Sequence, residues 1–231
     1  MLPGLLTVAG LTLAQPAAGQ IAGSVTVQND YRLRGQTLSD ERAVAILNLS
    51  YDDPSGFYGE ISAAGGFDRD DRFKLVGIVG NIGYAHPITH RLSIDGGVIQ
   101  TRYAPSFNRE HATGYTEVYA GFQTGMFASH LYFSPSYFGR NDPTMYGEVE
   151  ATMRPADRLR LNMHLGALVY LDPPPGPLSR TTQYDWRLTA LRRMGPLDLS
   201  LSLSGGGPGH DYYAGASHNR TALIGGVSWT F

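Results

Sequence analysis

From Ser24 to Phe231, apolar and polar residues alternate with a period of two, the spacing that puts successive side chains on opposite faces of an extended strand. Residues 157–171 show it most clearly. Leu159, Leu161, Met163, Leu165, Ala167, Val169 and Leu171 share one face, and Arg158, Arg160, Asn162, His164 and Gly166 share the other. Leu197, Leu199, Leu201 and Leu203 stand in the same way against Asp198, Ser200, Ser202 and Ser204. This alternation predicts twelve strands, near 24–34, 41–51, 57–66, 72–85, 91–102, 113–124, 126–138, 144–154, 157–171, 182–194, 197–205 and 219–231. Most are long enough for a tilted strand to cross a bilayer, which takes about 9 to 11 residues. Strands of soluble proteins centre on about 5 to 6 residues.

The connections carry a second signal. Outer-membrane barrels have short periplasmic turns and longer outer loops. Every second predicted connection is short: Asp52 to Gly56, His86 to His90, the turn at Gly125, Arg154 to Asp157, and Gly195-Pro196. The stretches 103–112, 172–181 and 206–218, read as the longest links, all fall on the opposite side. The predicted fold is therefore all-β, an antiparallel up-and-down transmembrane β-barrel of about 12 strands, placed in the bacterial outer membrane. Tyr51, Phe57, Phe127, Trp229 and Phe231 are expected in the inner aromatic girdle, and Tyr137, Tyr184 and Trp186 in the outer one. Two places fit less well. Both faces of 72–85 are apolar, which leaves the direction of Lys74 open, and Asn29 falls on the lipid-facing parity.

Composition narrows the picture. Charged residues reach only 16%, whereas Gly 29 and Tyr 14 are high, as suits an all-β protein whose surface is partly non-aqueous. A net charge of -2 offers no basic footprint, so nucleic acid is dropped as a partner. The absence of cysteine excludes disulfides, Cys-ligated zinc and thiol chemistry. Residues 1–19 carry no charge, contain the apolar run Leu5 to Leu13 and end in Ala17-Ala18-Gly19, which predicts a signal peptide ahead of a barrel domain at 20–231. No Lys or Arg precedes the apolar run, which is a departure from the usual signal.

The segments Asn29-Asp30-Tyr31-Arg32-Leu33-Arg34-Gly35, Ser39-Asp40 and Gly56-Phe57-Tyr58-Gly59 resemble the TorF-type porin family of conserved hypothetical bacterial outer-membrane proteins. Tyr115 to Gly121 and Ser134 to Gly139 are similar to its central motifs, with Ser136 standing where an acidic residue is expected. The resemblance implies an outer-membrane barrel with a pore role and brings no substrate.

Charges on the polar parity are candidates for the lumen and its constriction: Arg32, Arg34, Glu60, Asp95, Glu117, Glu148, Glu150, Arg158, Arg160, Asp185 and Arg187, with His164 beside them. In hydrocarbon each would cost roughly 2 to 4 kcal/mol at mid-depth, so a barrel must turn them inward. The expected function is passive diffusion of small solutes or ions. The alternatives are a plugged structural or adhesive barrel acting through its outer loops, or an outer-membrane lipid hydrolase. No serine and histidine can be paired on a lipid face, so the chain is read as a non-enzyme. The histidines lack metal-binding spacing, and neither metal nor cofactor is expected. The expected partners are outer-membrane lipid, permeating solutes or ions, and the barrel-assembly machinery. Phe231 and Trp229 would form the signal that this machinery reads.

Envelope protein should begin near Gln20, because Ala17 and Gly19 flank the predicted scissile position. N-terminal sequencing checks this, and recovery of intact Met1 from cytosol would count against export.

Overall fold

A computed structural model describes residues 19–67, 72–104, 113–139, 142–172, 182–207 and 221–231. The expected signal peptide, apart from Gly19, lies outside the described residues, as does most of the three long stretches named above. Strands β1 (Gln20–Gln28), β4 (Val44–Asp52), β5 (Phe57–Phe67), β6 (Phe73–Pro87), β7 (Leu92–Tyr103) and β8 (Thr113–Thr124) make one half of a barrel. The other half is β9 (Phe127–Ser134), β10 (Thr144–Ala156), β11 (Leu159–Tyr170), β12 (Thr182–Met194), β13 (Leu197–Gly207) and β14 (Thr221–Thr230). Each pairs antiparallel with its neighbours, and β1 closes the sheet by pairing with both β4 and β14. The predicted up-and-down barrel is the observed architecture.

Alternation sorts the side chains as the bilayer requires. Ile82, Leu165 and Leu223 are 70%, 65% and 60% exposed on the outside, in a wall where apolar side chains face outward from strand after strand. Among the described residues, no outward position at mid-strand carries a charge. This wall needs lipid, since water against such a belt would leave most of its apolar surface unburied. Tyr51, Phe57, Phe127, Trp229 and Phe231 are exposed at the short-turn end, with ring pairs Phe57–Tyr84 and Trp229–Phe231 at 5.0 and 4.9 Å. Tyr184 is exposed near the other end, as expected. Tyr137 is not part of a girdle. It is buried, because the strand predicted over 126–138 stops at Ser134 and Tyr137–Gly139 forms a 3-10 turn that tucks its rings inward.

Short connections gather at one end. Residues 125–126, 157–158 and 195–196 link their strands with two residues each, and each turn holds one residue in the left-handed region: Gly125 (φ 57), Arg158 (φ 63) and Gly195 (φ 63). In the 53–56 turn, hydrogen bonds from the Ser55 hydroxyl, the Ser55 backbone and Tyr51 hold the Asp53 carboxyl below its ordinary range.

Two expectations are corrected, and one question left open by the sequence is answered. The first strand spans 20–28 rather than 24–34, and residues 29–43 form the longest link, ahead of the three stretches predicted to be longest. That link turns into the barrel and pairs with itself as β2 (Arg32–Leu33) and β3 (Gln36–Thr37), so the alternation through Arg32, Leu33 and Arg34 belongs to a separate hairpin. Third, the two apolar faces of 72–85 come from a β-bulge. Ala64 pairs with Gly77 and Gly65 with Leu75, leaving Val76 as an extra residue that switches the parity and turns Val76 and Lys74 inward. Asn29, on the outward parity, is accommodated at the seam. Its side chain accepts from the Gly225 N–H and donates to the Leu223 carbonyl, continuing the β1–β14 ladder beyond Gln28.

Phe231 completes that seam. Its N–H and carbonyl exchange hydrogen bonds of 2.9 and 3.0 Å with Gly23, and its ring lies over the bare Gly23 backbone. Deleting Phe231 should sharply lower the yield of heat-modifiable, folded barrel on gels. Equal folded yield with and without Phe231 would show that the terminal residue has no special role.

Candidate functional site: a charged belt and an inner hairpin

One register row climbs the lumen wall, from β7 near the short-turn end to β13 near the opposite end. Asp95 on β7, Gly121 on β8, His130 on β9, Glu148 on β10, Gly166 on β11, Asp185 on β12 and Gly206 on β13 are successive cross-strand partners. Two of the glycines in this row, Gly121 and Gly166, are gaps that rings cross. His130 lies over Gly121, where a Cβ would collide with the imidazole, and places Nε2 3.1 Å from Asp95 two strands away. Tyr146 lies over Gly166 in the same way and donates to Asp185 at 3.1 Å. Tyr58 crosses Gly83 to donate to Asp95 at 3.0 Å, and accepts from Tyr119.

The result is an alternating ladder of carboxylates and imidazoles. Glu148 accepts from Tyr132 at 2.7 Å and stands 3.9 Å from His130 and 3.8 Å from His164. His164 continues to Glu150 at 3.4 Å and Asp185 at 2.8 Å. His130, Glu148, His164 and Asp185 are all buried. Carboxylates this close would repel in a low-dielectric wall, and the intervening imidazoles and tyrosine hydroxyls offset that repulsion.

The inner hairpin meets this wall. Its Asp30 accepts from Arg32 and from Thr37 (2.6 Å) and Ser39 (3.3 Å), while Arg32 also donates to the Gly35 carbonyl at 2.9 Å. At the tip, Arg34 (φ 47) and Gly35 (φ 78) both take left-handed conformations, and Gly35 lies against the backbone of Gly205 and Gly206 on β13. A Cβ at position 35 would strike that backbone, so only glycine permits the approach. Arg34 reaches across the lumen to Glu117 on β8 at 2.6 Å, with its guanidinium 3.9 Å from the Tyr146 ring centre and 5.1 Å from that of Tyr137. Burial disfavours the Arg34 charge, but Glu117 together with Tyr137, Tyr115 and Tyr146 outweighs this and holds the group above its ordinary range.

Of the residues predicted to line the lumen, Asp95, Glu117, Glu148, Glu150, His164, Asp185 and Arg187 come together in or beside this belt. Arg32 and Arg34 reach it from the hairpin rather than from a barrel strand. Glu60 and Arg160 lie half-buried nearer the short-turn end, in a polar vestibule with Asn48, Ser50, Asn162 and Ser200. Arg158 is exposed in the 157–158 turn, because the strand begins only at Leu159. Glu150, His164 and Arg187 are consecutive neighbours on one wall. Asp30 and the tyrosines Tyr58, Tyr119, Tyr132 and Tyr146 were not anticipated as site residues, although Asp30, Tyr58 and Tyr119 stand in the motif segments quoted above and the high tyrosine content was a further trace. Among the described residues, no group of three or more His, Asp or Glu side chains is arranged to hold a metal.

The family described as "Bacterial protein of unknown function (Gcw_chp)" matches residues 14–229. No curated protein matches the sequence. Among solved structures, the NanC porin is similar with a TM-score of 0.58 at 8% identity, covering 91% of this chain and 99% of that one. An outer membrane channel from Pseudomonas putida F1 gives 0.56 at 11% identity, covering 94% and 96%. The KdgM porin gives 0.54 at 11% identity, covering 93% and 99%. At such identities the likeness is one of fold.

Filling a gap in the row should break the belt. Gly166→Val would push Tyr146 off Asp185 and strand buried polar groups, which should cost about 1 to 3 kcal/mol. Thermal loss of the heat-modifiable form should come earlier than in wild type, and an unchanged melting profile would refute the role given to this glycine.

Proposed function

The chain belongs to the Gcw_chp family of bacterial proteins of unknown function, and from that premise we propose that it is a porin-like channel passing small solutes or ions across the outer membrane, as the TorF-type motifs suggest. The observation that carries this reading is the polar lining of a closed, lipid-facing barrel. A wall that had only to hold itself together would be at least as stable filled with apolar side chains, since replacing buried ion pairs by well-packed apolar groups is often neutral or stabilising. Here charged groups line the interior from β7 to β12, facing an apolar cluster of Val44, Ile46, Val79 and Ile99 with Tyr31, Leu33 and Leu38 of the hairpin, and half-buried Glu60, Arg160 and Asn48 lie nearer the short-turn end. The porin-like solved structures lend the fold, and the solute is not carried over from them. Outer-membrane lipid and the barrel-assembly machinery are the partners this reading requires.

The buried hairpin favours one other reading, a plugged barrel acting through its outer loops. Recording from purified, folded protein in a planar bilayer separates the two. A channel should give discrete steps, and a plugged barrel none. In a salt gradient, Glu148→Gln with Glu150→Gln should move the reversal potential toward anions. Arg160→Gln with Arg187→Gln should move it toward cations. If channels conduct but neither pair shifts the potential, the charged belt does not select ions.

A further inference from the structure

The Arg34–Glu117 pair joins the inner hairpin to the far side of the barrel wall. The barrel order runs β1, β14, β13, β12, β11, β10, β9, β8, so Glu117 on β8 lies across from β1, from which the hairpin departs. Resting on the channel reading, we propose that residues 29–43 are a gate across the conduction path, latched shut by the Arg34–Glu117 ion pair and able to swing from its two roots at Gln28 and Val44.

Three observations support a movable element over a fixed brace. First, the hairpin satisfies much of its own polarity. Asp30 gathers Arg32, Thr37 and Ser39, the Tyr31 N–H donates to Ser39 Oγ, the Leu38 N–H donates to the Tyr31 carbonyl, and Ser39 Oγ donates to the Arg42 carbonyl. Moving as a body, the unit keeps these pairs, and what it gives up is the packing of Tyr31, Leu33 and Leu38 in the apolar cluster with Val44, Ile46, Val79 and Ile99. Second, its tip touches β13 glycine to glycine, Gly35 against Gly205 and Gly206, with no interlocking side chain at that contact. Third, the non-glycine residues Arg34, Asp40 and Glu41 are held at φ 47, 58 and 57. Left-handed backbone at such residues is unfavourable and persists where surrounding contacts impose it. At the tip the two-residue turn between β2 and β3 requires this conformation at Arg34 and Gly35, and it aims the guanidinium at Glu117 and the faces of Tyr146 and Tyr137. Releasing the guanidinium removes the tip's ion pair with the wall and leaves the packing of Leu33 and the Gly35 contact to hold it.

The test is single-channel recording on wild type, Arg34→Gln, Glu117→Gln and the exchanged pair Arg34→Glu with Glu117→Arg, each shown folded by heat-modifiable migration. Either single change should raise open probability on the order of tenfold, as a population shift away from the latched state. The exchanged pair should return toward wild type, which loss of packing alone would not produce. A second measurement does not disturb the buried charges. Gln36 and Gln183 meet side chain to side chain at 3.5 Å, and the chain has no cysteine. Gln36→Cys with Gln183→Cys, bridged by a reducible bifunctional thiol reagent, should close the channel until the bridge is cleaved. Unchanged conductance in both single variants and in the bridged protein, while wild type conducts, overturns the gate and leaves the channel standing. Silence of every folded form, variants included, overturns the channel reading and the gate with it.

Discussion

A bilayer offers no hydrogen-bond partner to an unpaired peptide group, and each one left bare there costs several kcal/mol. The rest of this structure follows from that constraint. The sheet must close, so β1 pairs with β14 as well as β4, and the last residue, Phe231, and the polar Asn29 side chain are both used to finish the seam. Closure turns alternation into an inside and an outside. Apolar side chains cover the lipid face without interruption by charge, and every ionisable group on the spanning strands away from their ends goes to the lumen.

Confining charge to a narrow interior creates a second problem, which glycine resolves. Asp95, Glu148 and Asp185 lie in one register row and would face each other across strands with nothing between them. Leaving Gly121 and Gly166 bare between them lets His130 and Tyr146 lie flat across a neighbouring strand and reach a carboxylate two strands away. The high glycine and tyrosine content, which composition alone reads as a generic mark of membrane barrels, here has a local use: glycine supplies the gap and the ring supplies the hydrogen bond.

The same interior makes a channel reading and a gate reading parts of one picture. A polar vestibule opens from the short-turn end, and above it the belt and the hairpin fill the lumen. The hairpin is tied at its tip by a buried ion pair and two aromatic faces, in the left-handed conformation its two-residue turn requires, and its Tyr31, Leu33 and Leu38 pack in the apolar cluster.

Strand number, the inward or outward face of most residues and the division into short and long connections were legible in the sequence, because each is a local consequence of period two. Leu159 to Val169 or Leu197 to Leu203 cannot be read another way once a bilayer is the solvent. Three features were not legible, and all depend on what lies opposite in space. Val76 is an extra residue only relative to Ala64 and Gly65, so the bulge that reorients Lys74 is invisible along β6 itself. Arg32 and Arg34 alternate like any strand, and only the pairing of β2 with β3 rather than with the barrel takes them into the lumen. The belt needs Gly121 beside both Asp95 and His130, and residues so far apart in the chain become neighbours only through register. Alternation along the chain therefore determined which residues face inward, while the tertiary structure decided which of them meet, since contact across strands is set by pairing and not by the chain's own period.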